Sequence, residues 1–273
     1  MLVPHEHKPV EVTGLQTPVV VATDIIFGRG GQRDLKLDLY QQADRAESPL
    51  PVVVFIHGGG WHGGEKESYR EMAAQVASHG YVCASIDYRL AGEAPFPAAL
   101  EDCKCAVRWV RAHASELQID PSAIAVLGHS AGGHLAAMVA LSPGKFEGDG
   151  GWPQASSAAQ CALCYSAPYD LAALERSLGT PLTQFLGSVA AAEASPLTYV
   201  EAGAIPFLVC HGDADDLVPV AQSDVFVSAL QERDVPVDYV RLPGGGHDLW
   251  PFNEVILADA VRFLEAHLGP LGQ

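Results

Sequence analysis

Residues 123–127 form an apolar run that passes without a linker into Gly128-His129-Ser130-Ala131-Gly132, and a helical stripe of Leu135, Met138 and Val139 follows at once. A strand that turns directly into a helix sends that helix back across its own sheet. The result is a mostly parallel sheet with helices on both faces. The rest of the chain keeps this rhythm. Apolar runs at 51–56, 81–86, 161–165, 207–210 and 237–242 alternate with helical patterns, and the run at 51–56 is continuous enough for a strand covered on both faces. Two further runs, 19–27 and 35–40, come first, and Leu35, Leu37 and Leu39 of the second share one face, as in an antiparallel edge. That makes eight strands.

Helix signals stand between them. Ser68 and Glu71 are spaced as a capping box ahead of Met72 and Val76, and Gly80 supplies a left-handed stop. Leu100, Val107 and Val110 mark a helix over 97–117. Leu257, Val261, Leu264 and Leu268 form a stripe between Asn253 and Gly269. Residues 169–203 break the pattern with an Ala-rich stretch and no second core. The expectation is a single domain over 1–273, with 169–203 a small helical insertion, a candidate lid over the C-terminal edge of the sheet.

Sixteen basic against 33 acidic side chains leave a net charge of −17, which disfavours nucleic acid and anionic membrane as partners. No apolar run approaches the roughly 20 residues that cross a bilayer. The first fourteen residues lack the basic and apolar regions of a secretory signal, so a cytoplasmic location is expected, or secretion if a leader has been removed. The six cysteines show no zinc spacing, and four of them (Cys83, Cys161, Cys164, Cys210) sit in apolar runs. They read as reduced core thiols.

The turn at 128–132 is a nucleophile elbow in its required context, strand before and helix after. Its glycines allow a turn too tight for side chains, the Ser130 hydroxyl is lifted clear of the sheet, and the helix N-terminus favours developing negative charge. His57-Gly58-Gly59-Gly60-Trp61 follows the run at 51–56. The Gly59 and Gly60 N–H groups, with that of Ala131, can converge on one carbonyl oxygen, Trp61 N–H being a substitute for one of them. No Lys-Ser/Thr follows, which excludes a P-loop. His57 reads as pinning this loop.

A serine hydroxyl needs a base, and the base an orienting acid. Among eleven histidines, His247 follows Gly244-Gly245-Gly246 after the last strand, at the sheet edge where Ser130 lies. His129 points away from the serine by turn geometry, and His134 packs. For the acid, Asp213, Asp215 and Asp216 compete after the run at 207–210, and the pattern alone leaves all three open. The chain order Ser, Asp, His suits the fold. Trp61 and Trp250 flank the site in sequence and either wall an aromatic acyl pocket or pack structurally. The chemistry requires no metal and no organic cofactor.

These motifs stand with Asp87-Tyr88-Arg89-Leu90, Glu93-Ala94-Pro95-Phe96-Pro97-Ala98, Glu101-Asp102-Cys103-Lys104 and Ala106-Val107-Arg108-Trp109. Together they resemble the α/β-hydrolase esterases related to hormone-sensitive lipase, most closely the bifunctional feruloyl and acetylxylan esterase branch. The resemblance spans about residues 25–268. It implies the α/β-hydrolase fold and serine carboxylesterase activity on a small-molecule ester, short-chain or aromatic, such as acetyl or feruloyl sugar esters. It also implies Asp215 as the acid, His247 as the base and a structural role for Arg89. Aryl formamidases and small serine peptidases use the same triad and are the alternative. A silent binding protein on this scaffold would lack Ser, His or a hole glycine, and all are present here.

Overall fold

The computed structural model describes residues 7–45, 48–249 and 253–269, apart from the side chains of 175–178. All eight expected strands are there: β2 (Val19–Gly30), β3 (Arg33–Gln42), β4 (Leu50–Ile56), β5 (Val82–Ile86), β6 (Ile119–His129), β7 (Cys161–Tyr165), β8 (Phe207–Gly212) and β9 (Val237–Leu242). A ninth, β1 (Lys8–Pro9), pairs antiparallel with the outer side of β2. Two residues are too few to show alternation, and proline is tolerated there because an edge strand leaves N–H groups unpaired anyway. The sheet order is β1-β2-β3-β5-β4-β6-β7-β8-β9. β1, β2 and β3 run antiparallel, and every pairing from β5 to β9 is parallel.

Period-two alternation divides the core. Val52, Val54 and Ile56 of β4 face one side with Leu35, Leu37 and Leu39, beneath α2 (Ala98–Ala112) and α4 (Ala131–Leu141). Val53 and Phe55 face the other, beneath α1 (Arg70–Ser78) and α7 (Asn253–Leu268). Both faces are covered, so β4, β5 and β7 are buried at every position. All six cysteines are free and buried. The remaining helices are α3 (Ala114–Leu117), α5 (Leu171–Leu186) and α6 (Ala221–Gln231). Among the described residues no helix is long and apolar enough to cross a membrane.

Two helix starts differ from expectation. Ser68 lies inside a 3-10 turn, Lys66–Tyr69, that runs into α1, and no side chain caps it. The Lys66 main chain is fixed from outside: its N–H donates to Asp87 Oδ1 at 3.0 Å, and its carbonyl accepts from Ser85 Oγ at 2.5 Å. These tertiary bonds start the coil a turn before the capping box would. The single helix expected over 97–117 divides at His113, whose ring and backbone N–H both bond the Trp109 carbonyl.

The insertion holds α5, broken at Gly179 where the backbone leaves helical geometry, and two 3-10 turns, Ala191–Ala194 and Pro196–Tyr199. It packs down on the loop after β4. Phe185 stacks on Trp61 with ring centroids 4.4 Å apart, and His62 Nε2–H donates to the Pro181 carbonyl at 2.8 Å. The segment after β5 ties both pieces together. Arg89 forms a bidentate pair with the buried Asp102 carboxylate; Ala91 N–H donates to the Trp61 carbonyl and Phe96 N–H to that of Phe185.

His134, fully buried in α4, joins this contact. Its Nδ1 accepts from Trp61 Nε1–H at 3.2 Å, so its proton sits on Nε2, which donates to the Ala194 carbonyl at 2.7 Å. Burial pushes the ring down from the ordinary 6.5 to about 4. The folded value lies below the unfolded one, so the unfolded chain takes up the proton first as pH falls. Stability is therefore lost through the window from 6.5 to about 4. We expect this residue alone to cost about 2–3 kcal/mol by pH 4.5. Urea midpoints at pH 7 and pH 4.5 measure it: the difference shrinks in His134→Gln, and an unchanged difference contradicts the assignment.

Candidate active site

The parallel strands end on one edge of the sheet, and their C-terminal loops carry the candidate groups, as ligand sites in such sheets require. Ser130 follows β6 at the first turn of α4, with φ 56° and ψ −124°. That conformation is strained for a residue with a Cβ, and the surroundings hold it. Ser130 N–H donates to the Tyr165 carbonyl of β7 at 2.8 Å. Gly132 lies so close to β4 that a Cβ there would stand 1.9 Å from the Ile56 carbonyl oxygen, so only glycine lets the helix seat behind the serine.

His247 Nε2 lies 2.9 Å from Ser130 Oγ, and His247 Nδ1 lies 2.8 Å from Asp215 Oδ2. The carboxylate accepts from Nδ1–H, which leaves Nε2 free to accept the serine proton. The structure thus brings Ser130, His247 and Asp215 into one hydrogen-bonded series. Asp216 is exposed. Asp213 does a different job: its Oδ1 accepts Gly244 N–H at 2.7 Å, while Ala214 N–H donates to the Gly245 carbonyl. The glycine loop that carries His247 is thereby stitched to the loop after β8.

Asp215 is inward because its own turn folds around it. Oδ1 accepts the N–H groups of Leu217 and Val218, and Oδ2 accepts from His247 and, at 3.1 Å, from His211 Nε2. Burial acts against its charge. The hydrogen bonds from His211, His247 and Val218 outweigh burial and hold the carboxyl well below the usual carboxylate range.

In the loop after β4, His57 behaves as a pin. It stacks on Tyr88 at 4.2 Å between centroids, its Nδ1–H donates to the Gly58 carbonyl, and Tyr88 O–H donates to the His57 carbonyl. Gly59 has φ +109°, where a side chain would be strained and a Cβ would meet the Gly63 carbonyl at 2.3 Å. Neither Gly59 N–H nor Gly60 N–H has an acceptor among the described residues. Ala131 N–H opens α4, where helical N–H groups lack intrahelical partners.

Trp61 is 3% exposed, stacked on Phe185 and bonded to His134, so packing holds most of its ring. Trp250, the other aromatic candidate, lies outside the described residues. Two further histidines complete the setting. His129 Nε2–H donates to the His247 carbonyl at 2.8 Å, and His211 shares Asp215 Oδ2 with His247. Their signals in the sequence are the place of His129 directly before Ser130 and that of His211 at the head of the His211-Gly212-Asp213-Ala214-Asp215 segment. Among the described residues no group of three His, Cys, Asp or Glu side chains is arranged to hold a metal.

A doubly wound sheet with an antiparallel edge, a strained serine between β6 and α4, and imidazole and carboxylate from the last two strand ends define an α/β-hydrolase. Comparison with known proteins agrees. The BD-FAE family model matches residues 37–230, and the chain belongs to that family. Esterase LipQ of Mycobacterium tuberculosis is 35% identical over 240 residues, covering 82% of this chain and 56% of that protein. The chain spans about half the length of the curated relatives it matches first. Among solved structures, the butyrate-bound esterase Est2 of Thermogutta terrifontis superposes with TM-score 0.81 at 29% identity, covering 89% of this chain and 93% of that one. The same esterase is known phosphorylated by paraoxon. A bifunctional GH43-CE protein of Bacteroides eggerthii superposes with TM-score 0.83 at 28% identity over 91% of this chain and 35% of that one.

Proposed function

We propose that this protein is a serine carboxylesterase acting on short-chain or aromatic esters, acylated sugars included, with Ser130 as nucleophile, His247 as base and Asp215 as acid. The observation that carries the reading is the hydrogen-bonded series from Ser130 Oγ through His247 to Asp215 Oδ2, with legs of 2.9 and 2.8 Å.

His247 Nε2 takes the hydroxyl proton as Ser130 Oγ attacks the ester carbonyl, and Asp215 stabilises the imidazolium. The tetrahedral oxyanion accepts from the N–H groups of Gly59, Gly60 and Ala131, each essential donor contributing about 3–4 kcal/mol in the transition state. His247 then protonates the leaving alcohol. Water enters, gives its proton to His247, and releases the acid from Ser130.

The insertion at 169–203 serves as a cap. Trp61, Phe185 and His134 fill space beside the oxyanion loop, which favours small acyl groups. Est2, with butyrate bound, is a neighbour of that kind, and the sequence resemblance to feruloyl and acetylxylan esterases favours acylated sugars. The test is a substrate panel of p-nitrophenyl acetate, butyrate and octanoate, methyl ferulate, acetylated xylan and N-formylkynurenine. We expect kcat/KM for acetate or butyrate to exceed that for octanoate by at least about tenfold, equivalent to about 1.4 kcal/mol in the transition state. A kcat/KM for N-formylkynurenine above that of every ester would overturn the esterase reading in favour of a formamidase.

A further inference from the structure

His211 is fully buried at the end of β8, one side chain beyond the proposed acid. Its Nε2 faces two oxygens, Asp215 Oδ2 at 3.1 Å and the Val218 carbonyl at 2.8 Å. Both are acceptors, so Nε2 carries a proton and is shared between them. Its Nδ1 lies 2.6 Å from the hydroxyl of Ser223, also fully buried, near the start of α6. Ser223 Oγ also faces the buried Tyr169 hydroxyl, and with Tyr169 O–H donating to Oγ the Ser223 proton goes to Nδ1. A ring that donates from Nε2 and accepts at Nδ1 is neutral.

The consequence lies in Asp215. Its Oδ2 is shared by two imidazoles, and its Oδ1 is filled by two backbone N–H groups. A cation at His211 would cancel the carboxylate charge that the His247 imidazolium needs. A neutral N–H donor fixes the carboxylate plane and leaves that charge in place. We propose that His211 is a positioning residue for the reaction, held as the neutral Nε2–H tautomer by Ser223, and that it aims Asp215 Oδ2 at His247 without neutralising it. This rests on the reading of Ser130 as nucleophile and adds to it a second imidazole on the acid.

The test is the second-order rate at which a fluorophosphonate labels Ser130, with folding followed by thermal melts. His211→Leu should slow labelling by about 10–100-fold, the scale for losing a hydrogen bond to a charged group. His211→Gln, which keeps an N–H donor, should recover most of that loss. In an Asp215→Asn background, His211→Leu should slow labelling by no more than about twofold, because it acts through a carboxylate already gone. Equal losses in both backgrounds, or a folded His211→Leu that labels at the wild-type rate, would overturn the proposal. Long-range proton–nitrogen NMR of the wild-type imidazoles decides independently if His211→Leu does not fold: a neutral His211 ring protonated on Nε2 supports the proposal, and an Nδ1–H or doubly protonated ring overturns it. Wild-type protein that is not labelled at all would instead refute the esterase reading itself.

Discussion

Ser130→Ala is expected to lower kcat/KM for p-nitrophenyl acetate by a factor of about 10^6 and to abolish fluorophosphonate labelling, while the thermal melt stays close to wild type. The size follows from what the substitution removes. Without Oγ no acyl-enzyme forms, and His247 is left with water as the only nucleophile. Removing the base as well adds little, since the two act as one unit. The double variant Ser130→Ala, His247→Ala should therefore be no slower than Ser130→Ala by more than about tenfold. A residual rate about 10^3–10^4 above the uncatalysed one remains, supplied by the N–H groups of Gly59, Gly60 and Ala131. Full activity in Ser130→Ala would place the chemistry elsewhere.

Asp215→Asn should lower kcat by about 10^4. An amide presents N–H to His247 Nδ1 where the carboxylate accepted from it. The imidazole then carries its proton on Nε2, facing Ser130 Oγ, and cannot act as base. The same change also puts a second donor against His211 Nε2–H, 3.1 Å from Oδ2. Asp213→Asn and Asp216→Asn are the controls. Asp216 is exposed, and an amide oxygen at 213 still accepts Gly244 N–H. Both should stay within about threefold of wild type, the ordinary scale for surface substitutions. Activity retained by Asp215→Asn, with a loss at 213 or 216, would move the acid.

What could be read in advance divides by the range of the interaction. The strands and the Ser130 turn depend on local pattern: a buried parallel strand is a continuous apolar run, and an elbow needs its small residues in fixed places. Eight strands and the region of the site are therefore legible. The choice among three aspartates is not a local matter. It depends on which carboxylate the Leu217 and Val218 N–H groups capture as the turn closes, and a shift of one residue along the chain reverses inward and outward. Trp61 shows the same limit. Whether its ring walls a pocket or is packed depends on Phe185, which arrives from the insertion far along the chain. The start of α1 is not legible locally for a related reason, since Asp87 and Ser85 fix Lys66 across strands and override the capping signal. His211 heads the segment that carries Asp215, but its contacts are set only when Ser223 and Asp215 close on its two nitrogens.

The acyl-enzyme itself is the most direct measurement. Protein mixed with excess p-nitrophenyl acetate, quenched in acid within the first turnovers and digested, should yield a peptide spanning Ser130 heavier by one acetyl group. That peptide should be absent in Ser130→Ala and should accumulate with a burst of nitrophenolate. Rapid turnover with no acetyl group on that peptide, or with the acetyl group on another residue, would contradict nucleophilic catalysis by Ser130.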